Sequence, residues 1–150
     1  MKNYIITICF LFSVSFCNAC TCSESGTREQ AIKKIDRIIL GKVISKESFS
    51  KEDYKITGLK MSYVKYTVIV SEMLKGKIKS KTLIIATAPG GGGDCGYNFE
   101  IGKTYLIYAD KREDNRKDKF LYTSICMRTN ILESIEFNKV KKYCRLKGFS

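Results

Sequence analysis

Two cysteines one residue apart, Cys20-Thr21-Cys22, stand directly behind a run of apolar residues. A cysteine can serve as nucleophile, metal ligand, redox dithiol or half of a disulfide, and the rest of the chain narrows the choice. The 150 residues contain no histidine, which removes Ser-His-Asp and Cys-His nucleophilic machinery. A zinc site would also have to do without imidazole, and the cysteines after residue 19 form no Cys-x-x-Cys pair. Cys-x-Cys is poor spacing for a redox dithiol. The loop Pro89 to Asp94, "PGGGGD", presents backbone N–H groups but lacks the Lys-Ser/Thr ending and helix start of a phosphate-binding P-loop. No catalytic constellation remains, so no enzyme, no cofactor and no metal stably bound by the free chain are expected.

The apolar run explains the position of the pair. Lys2, the stretch Tyr4–Phe16 and Ala19 have the layout of a secretory signal peptide. The run is shorter than the roughly 20 apolar residues a membrane span needs, and it has no polar face for an amphipathic anchor. Residues 1–19 are predicted to be removed, leaving a secreted chain, residues 20–150, that begins at Cys20 and forms one domain. The rival is a lipoprotein cysteine: Cys20 would then be lipidated and the chain anchored at the cell surface. Against it, Cys17 stands three residues before Cys20, where such signals usually carry leucine.

Of seven cysteines, Cys9 and Cys17 leave with the leader. Cys20, Cys22, Cys95, Cys126 and Cys144 remain, and an oxidising compartment favours disulfides among them. Their number is odd, so at least one has no partner within the chain.

The formal charge of +12 admits an anionic polysaccharide or membrane surface as a partner. Scattered lysines without interleaved aromatics favour plain solubility, and secretion argues against nucleic acid despite the tyrosine-rich strands. The run Lys139–Lys147, "KVKKYCRLK", reads as the solvated face of a helix, with polyanion or membrane binding as the alternative.

The elements that must position these cysteines follow from periodicity. Thr27 is a candidate N-cap with Glu29 and Gln30 in the first turn, predicting a short helix from about Arg28 to Lys34. Arg37–Ser45 is β-rich, with Gly41 marking a bulge or bend. Lys46–Lys60 is polar and reads as a long hairpin loop. In Ser62–Gly76, Val64, Tyr66, Val68 and Val70 share one face of a strand. Lys81–Ala88, Lys103–Ala109 and Lys119–Arg128 complete five strands, and the charged turn "DKREDNRKD" separates the last two. Ile131, Leu132, Ile135, Val140, Tyr143 and Cys144 approach helical spacing and predict a C-terminal helix on the sheet. The expected fold is mainly β: five antiparallel strands with one short N-terminal helix and a C-terminal helix, closed into a barrel that leaves no exposed edge.

The Cys-x-Cys start, the mid-chain "APGGGGDCGYNFEIGKTYLIYA", the "LKG" of Leu74–Gly76 and the late "LYTSICMR" resemble the tissue inhibitors of metalloproteinases. More broadly, they resemble the netrin-like domain, an OB-fold barrel. The resemblance runs from Cys20 to about Arg128 and weakens beyond it. It implies bridges Cys20–Cys95 and Cys22–Cys126. It also implies that the α-amine and carbonyl oxygen of Cys20 chelate the catalytic zinc of a target metalloproteinase. Thr21 would enter the pocket beside the zinc. Cys22, Ser23 and the loop through Gly93, Asp94 and Cys95 would complete the inhibitory edge. The alternative within the same resemblance is a non-inhibitory netrin-like binding module. The animal proteins carry a third early cysteine, where this chain has Ile32 and Lys33, so Cys144 is left unpaired.

Overall fold

The computed structural model describes residues 20, 22, 26–52, 60–77, 80–90, 95–111 and 120–149. The leader at 1–19, most of the charged turn, and the predicted site residues Thr21, Ser23, Gly93 and Asp94 lie outside the described residues.

Helix α1 (Arg28–Lys34) begins at a reciprocal capping box. Thr27 Oγ1 accepts from the Gln30 amide, and Gln30 Oε1 accepts from the Thr27 amide at 2.8 Å. The helix buries one side chain, Ile32. Its C-terminal carbonyls are met by a cation from elsewhere in the chain: Lys75 Nζ donates to Ile32 O at 2.7 Å and Lys33 O at 3.0 Å.

Six strands follow: β1 (Arg37–Glu52), β2 (Lys60–Lys75), β3 (Thr82–Thr87), β4 (Thr104–Ala109), β5 (Phe120–Tyr122) and β6 (Asn130–Ile131). They form one sheet in the order β5-β3-β2-β1-β4-β6. This corrects the expected five-stranded closed barrel: the sheet has six strands, curls into a half-barrel and stays open. One physical reason is length. β5 contributes only three residues, which pair with β3 in parallel. Across the opening, β4 reaches β5 through a single bridge, Asp110–Tyr122, with backbone bonds of 2.9 and 2.8 Å.

The predicted loop Lys46–Lys60 is also corrected. β1 and β2 stay paired from Ile38↔Lys75 to Glu52↔Lys60, forming a long antiparallel arm. Polar residues form strand here because an aromatic cluster sits under them. Phe49 stacks on Tyr63 at 5.5 Å and meets Phe120 edge-on at 5.7 Å, with Lys65 Nζ 4.2 Å from the Phe49 ring. The pairing shifts register between Leu40 and Gly41. A Cβ on Gly41 would lie 2.9 Å from Ile69 O, so the close approach of β2 demands glycine.

The sheet buries both faces, and β4 shows why its run is continuously apolar. Tyr105, Ile107 and Ala109 pack with Ile39, Val43, Val64, Tyr66, Val68 and Ile85 in the hollow of the sheet. Leu106 and Tyr108 face the other way, onto Ile32, Ile38, Leu74, Val140 and Cys144. The last two belong to α2 (Ser134–Leu146), which docks through them. Ile131 and Leu132 lie before this helix and Ile135 is exposed, so the predicted apolar face narrows to Val140 and Cys144, with Phe137 and Tyr143 half-buried. Two ion pairs orient α2: a bidentate Arg28–Glu136 pair with contacts of 2.7 to 3.0 Å, and Lys141–Glu72 at 2.9 Å.

Candidate functional site

Cys20 is joined to Cys95 and Cys22 to Cys126, with Cα separations of 5.4 and 5.3 Å. The sulfurs of Cys20, Cys95 and Cys126 lie within 4.8 Å of one another, so the two bridges sit side by side. Three clustered cysteine sulfurs could suggest a metal site. All three are bonded to partner sulfurs, and a disulfide offers no thiolate to zinc. Cys144 is the free cysteine among the described residues, buried on α2. Burial pushes its thiol pKa up, against a smaller opposite pull from Lys75.

Each anchoring cysteine is held by its own local structure. Cys95 adopts φ +47°, a left-handed conformation that costs a non-glycine residue about 1 kcal/mol. The next residue must be glycine: a Cβ on Gly96 would lie 2.7 Å from Gly90 N, where two backbone segments cross. Beyond it, the Tyr97 amide donates to Thr87 Oγ1 at 2.8 Å. Phe99 then plunges into the core, its ring 4.9 Å from those of both Tyr66 and Tyr105. The glycine-rich loop is therefore tied down immediately after its cysteine.

Cys126 does not lie on a strand, as the predicted span Lys119–Arg128 would have it. It sits in a 3-10 turn, Ile125–Met127, capped by Ser124 and ended by Arg128 at φ +58°. A buried hydroxyl pair flanks this turn and fixes it to β4. Thr123 Oγ1 donates to Tyr108 O at 2.8 Å, Thr129 Oγ1 accepts from the Tyr108 amide at 3.0 Å, and the two hydroxyls lie 2.8 Å apart. Thr123 and Thr129, like Phe99, escaped the reading of the sequence. The only signal was their position on either side of "SICMR", and threonine is common in strands for other reasons.

The bridged edge borders a groove of about 730 Å³ whose lining includes Met61, Tyr63, Pro89, Cys95, Tyr122 and Met127. Where Asp110 and Lys111 line it, the Asp36 amide donates to Asp110 Oδ1 at 2.6 Å, and the Lys111 amide donates to Asp36 Oδ2 at 2.9 Å. Burial, with repulsion from Asp36, pushes the Asp110 carboxyl pKa above its ordinary value.

The arrangement is a Cys-x-Cys segment clamped at two alternate residues onto the edge of the sheet, beside an open groove. The family model for tissue inhibitor of metalloproteinase matches residues 18–142. The chain belongs to the tissue inhibitor of metalloproteinase family. The match takes in all four bridged cysteines, α1, the six strands and most of α2, and it stops before Cys144. No curated protein matched the chain. Membership in a tissue inhibitor of metalloproteinase family points to an inhibitor rather than an enzyme, to metalloproteinases as the general class of partner, or to a netrin-like module. Among the described residues, no helix is long and apolar enough to cross a membrane.

Proposed function

We propose that this protein, released from residues 1–19 and exported as a single domain spanning 20–150, inhibits a zinc metalloproteinase through its new N-terminus. The α-amine and carbonyl oxygen of Cys20 take the open coordination position that a catalytic zinc keeps for water and substrate. An α-amino group titrates near pH 8, so presenting it neutral to a metal costs little at neutral pH. Thr21 enters the pocket beside the zinc. Ser23, Gly93 and Asp94 line the groove of the target alongside Cys22 and Cys95.

One observation carries this reading: both cysteines of Cys20-Thr21-Cys22 are bridged to segments that are themselves hydrogen-bonded into the core. A free terminus would lose its conformational freedom on binding; a clamped one has lost it already. The same sulfur cannot carry both a lipid thioether and a bond to Cys95, so the mass of the secreted chain separates inhibitor from lipid-anchored module.

The test is an inhibition assay against a panel of zinc metalloproteinases with three chains. The chain beginning at Cys20 should inhibit; adding one alanine before Cys20, or replacing Thr21→Gly, should weaken inhibition a hundredfold or more, about 2.7 kcal/mol. Undiminished potency in the extended chain would refute the chelation mechanism. Absence of inhibition by any of them would favour the netrin-like binding module.

A further inference from the structure

Helix α2 has a second face that neither the core nor the disulfide edge uses. Ile135 and Leu146 are 72% and 74% exposed, more than any other large apolar side chain among the described residues. Helical spacing sets Ile135, Lys139, Lys142 and Leu146 within a sector of about 60°, opposite the buried Val140 and Cys144. The two aliphatics stand about 16 Å apart along the axis with the two lysines between them. Where β6 runs into the helix, Ile131 and Leu132 are exposed as well.

The charges on this element are sorted. Glu136 is held by Arg28 and Lys141 by Glu72, both on the flanks of the helix. Among the described residues, no ion pair engages Lys139, Lys142, Arg145 or Lys147, so the exposed stripe is cationic. Lysines alone would suit any polyanion. Large aliphatics held in water at both ends of the stripe gain nothing from a sulfated sugar or a nucleic acid. They gain from a surface that is anionic at its headgroups and apolar just beneath, into which Ile135 and Leu146 insert while the lysines remain at headgroup level.

We propose that the exposed face of α2 docks the protein onto an anionic phospholipid membrane, lying flat in the headgroup region. This does not depend on zinc chelation, because α2 and the bridged terminus are different parts of the chain. It would hold the protein at a membrane surface with the N-terminal edge left available.

The experiment is co-sedimentation of the secreted chain with phosphatidylcholine vesicles, plain or containing about 30% phosphatidylserine, the lipid that supplies the anionic surface. Binding should require the anionic lipid and weaken with salt. Ile135→Ser/Leu146→Ser and Lys139→Gln/Lys142→Gln should each lower the partition coefficient roughly tenfold or more. Comparing variants within the same secreted chain isolates the helix from any contribution of its N-terminus. All four positions are exposed, so the far-UV melting curves should overlay. If the double serine variant fails to fold, Leu146→Ser alone, at the last helical residue, replaces it. Vesicle binding that is absent, or indifferent to the aliphatic pair, overturns the proposal. So does lysine-dependent binding to heparin without vesicle binding, or a self-associated chain that the serine pair makes monomeric.

Discussion

The amide of Ile125 donates to the carbonyl oxygen of Cys95 at 3.1 Å. This bond joins the two segments that anchor Cys20 and Cys22, one through Cys95 and the other through Cys126, the residue after Ile125. The Cys20–Cys95 bridge, the Cys95–Ile125 bond and the Cys126–Cys22 bridge thus form a closed frame. Cys20 and Cys22 take their positions from this frame, through partners 75 and 104 residues away in sequence.

Breaking one side of the frame should be costly. The Cys22–Cys126 bridge spans 104 residues, for which loop entropy predicts about 4 to 5 kcal/mol. The double variant Cys22→Ser/Cys126→Ser should melt about 10 to 20 °C lower. A calorimetric shift below a few degrees would mean that the hydrogen-bonded turn holds this segment without the bridge.

The hydroxyl pair under that turn should matter nearly as much as a core side chain. Thr123→Val keeps the shape but removes the hydroxyl shared by Thr129 Oγ1 and Tyr108 O, leaving only the longer Thr129 Oγ1–Tyr108 O bond of 3.2 Å between them. The expected cost is about 1 to 3 kcal/mol in urea unfolding. Ser124→Ala, at a half-exposed cap, should cost about 1 kcal/mol or less.

Tyr108 presents the opposite case. Its hydroxyl is buried and meets no hydrogen-bond partner among the described residues. Burial, helped by Glu136, pushes its pKa up to about 12. A raised folded pKa means stability that is intact below the ordinary value of 10 and eroded as pH climbs toward 12. Tyr108→Phe should therefore be neutral or stabilising by up to about 1 kcal/mol at pH 7. It should also remove one late step from the alkaline phenolate titration followed by absorbance. A clearly destabilised phenylalanine variant would reveal a partner for the hydroxyl.

Asp110 gives a prediction at the acid end. Its folded pKa is raised, chiefly by burial, so its share of stability is complete below the ordinary carboxyl value of 3.8 and declines as pH rises through the higher folded value. Asparagine at this position keeps an oxygen for the Asp36 amide without the charge facing Asp36. Asp110→Asn should raise the melting temperature by about 1 to 3 °C at pH 7, with the gain vanishing near pH 3. A loss at pH 7 would show that the charged form of Asp110 is the one the fold prefers.

Local features of the fold were legible in consecutive residues because their causes are local. Thr27 and Gln30 define the start of α1 through bonds spanning three residues. The alternation Val64, Tyr66, Val68 marks the inner face of β2, and Gly41 marks the register shift. The resemblance implied which cysteines meet, whereas the odd set of five cysteines by itself left the pairing open.

What the sequence by itself determined was the ordered run of local elements: a capped first turn, an alternating strand, a glycine where two strands approach, a helix late in the chain. Tertiary structure alone decided how far the strands extend and where the open sheet ends. Lys46–Ser50 is polar apart from Phe49 because water covers most of it, and it becomes strand only because Phe49, Tyr63 and Phe120 arrive from three different elements. β5 pairs in parallel with β3 from a distant part of the chain, and no periodicity within three residues can announce that. The frame around Cys20 depends on Phe99, Thr123 and Thr129 for the same reason. Each acts across the fold on a partner remote in sequence, and such contacts exist only once the chain has closed on itself.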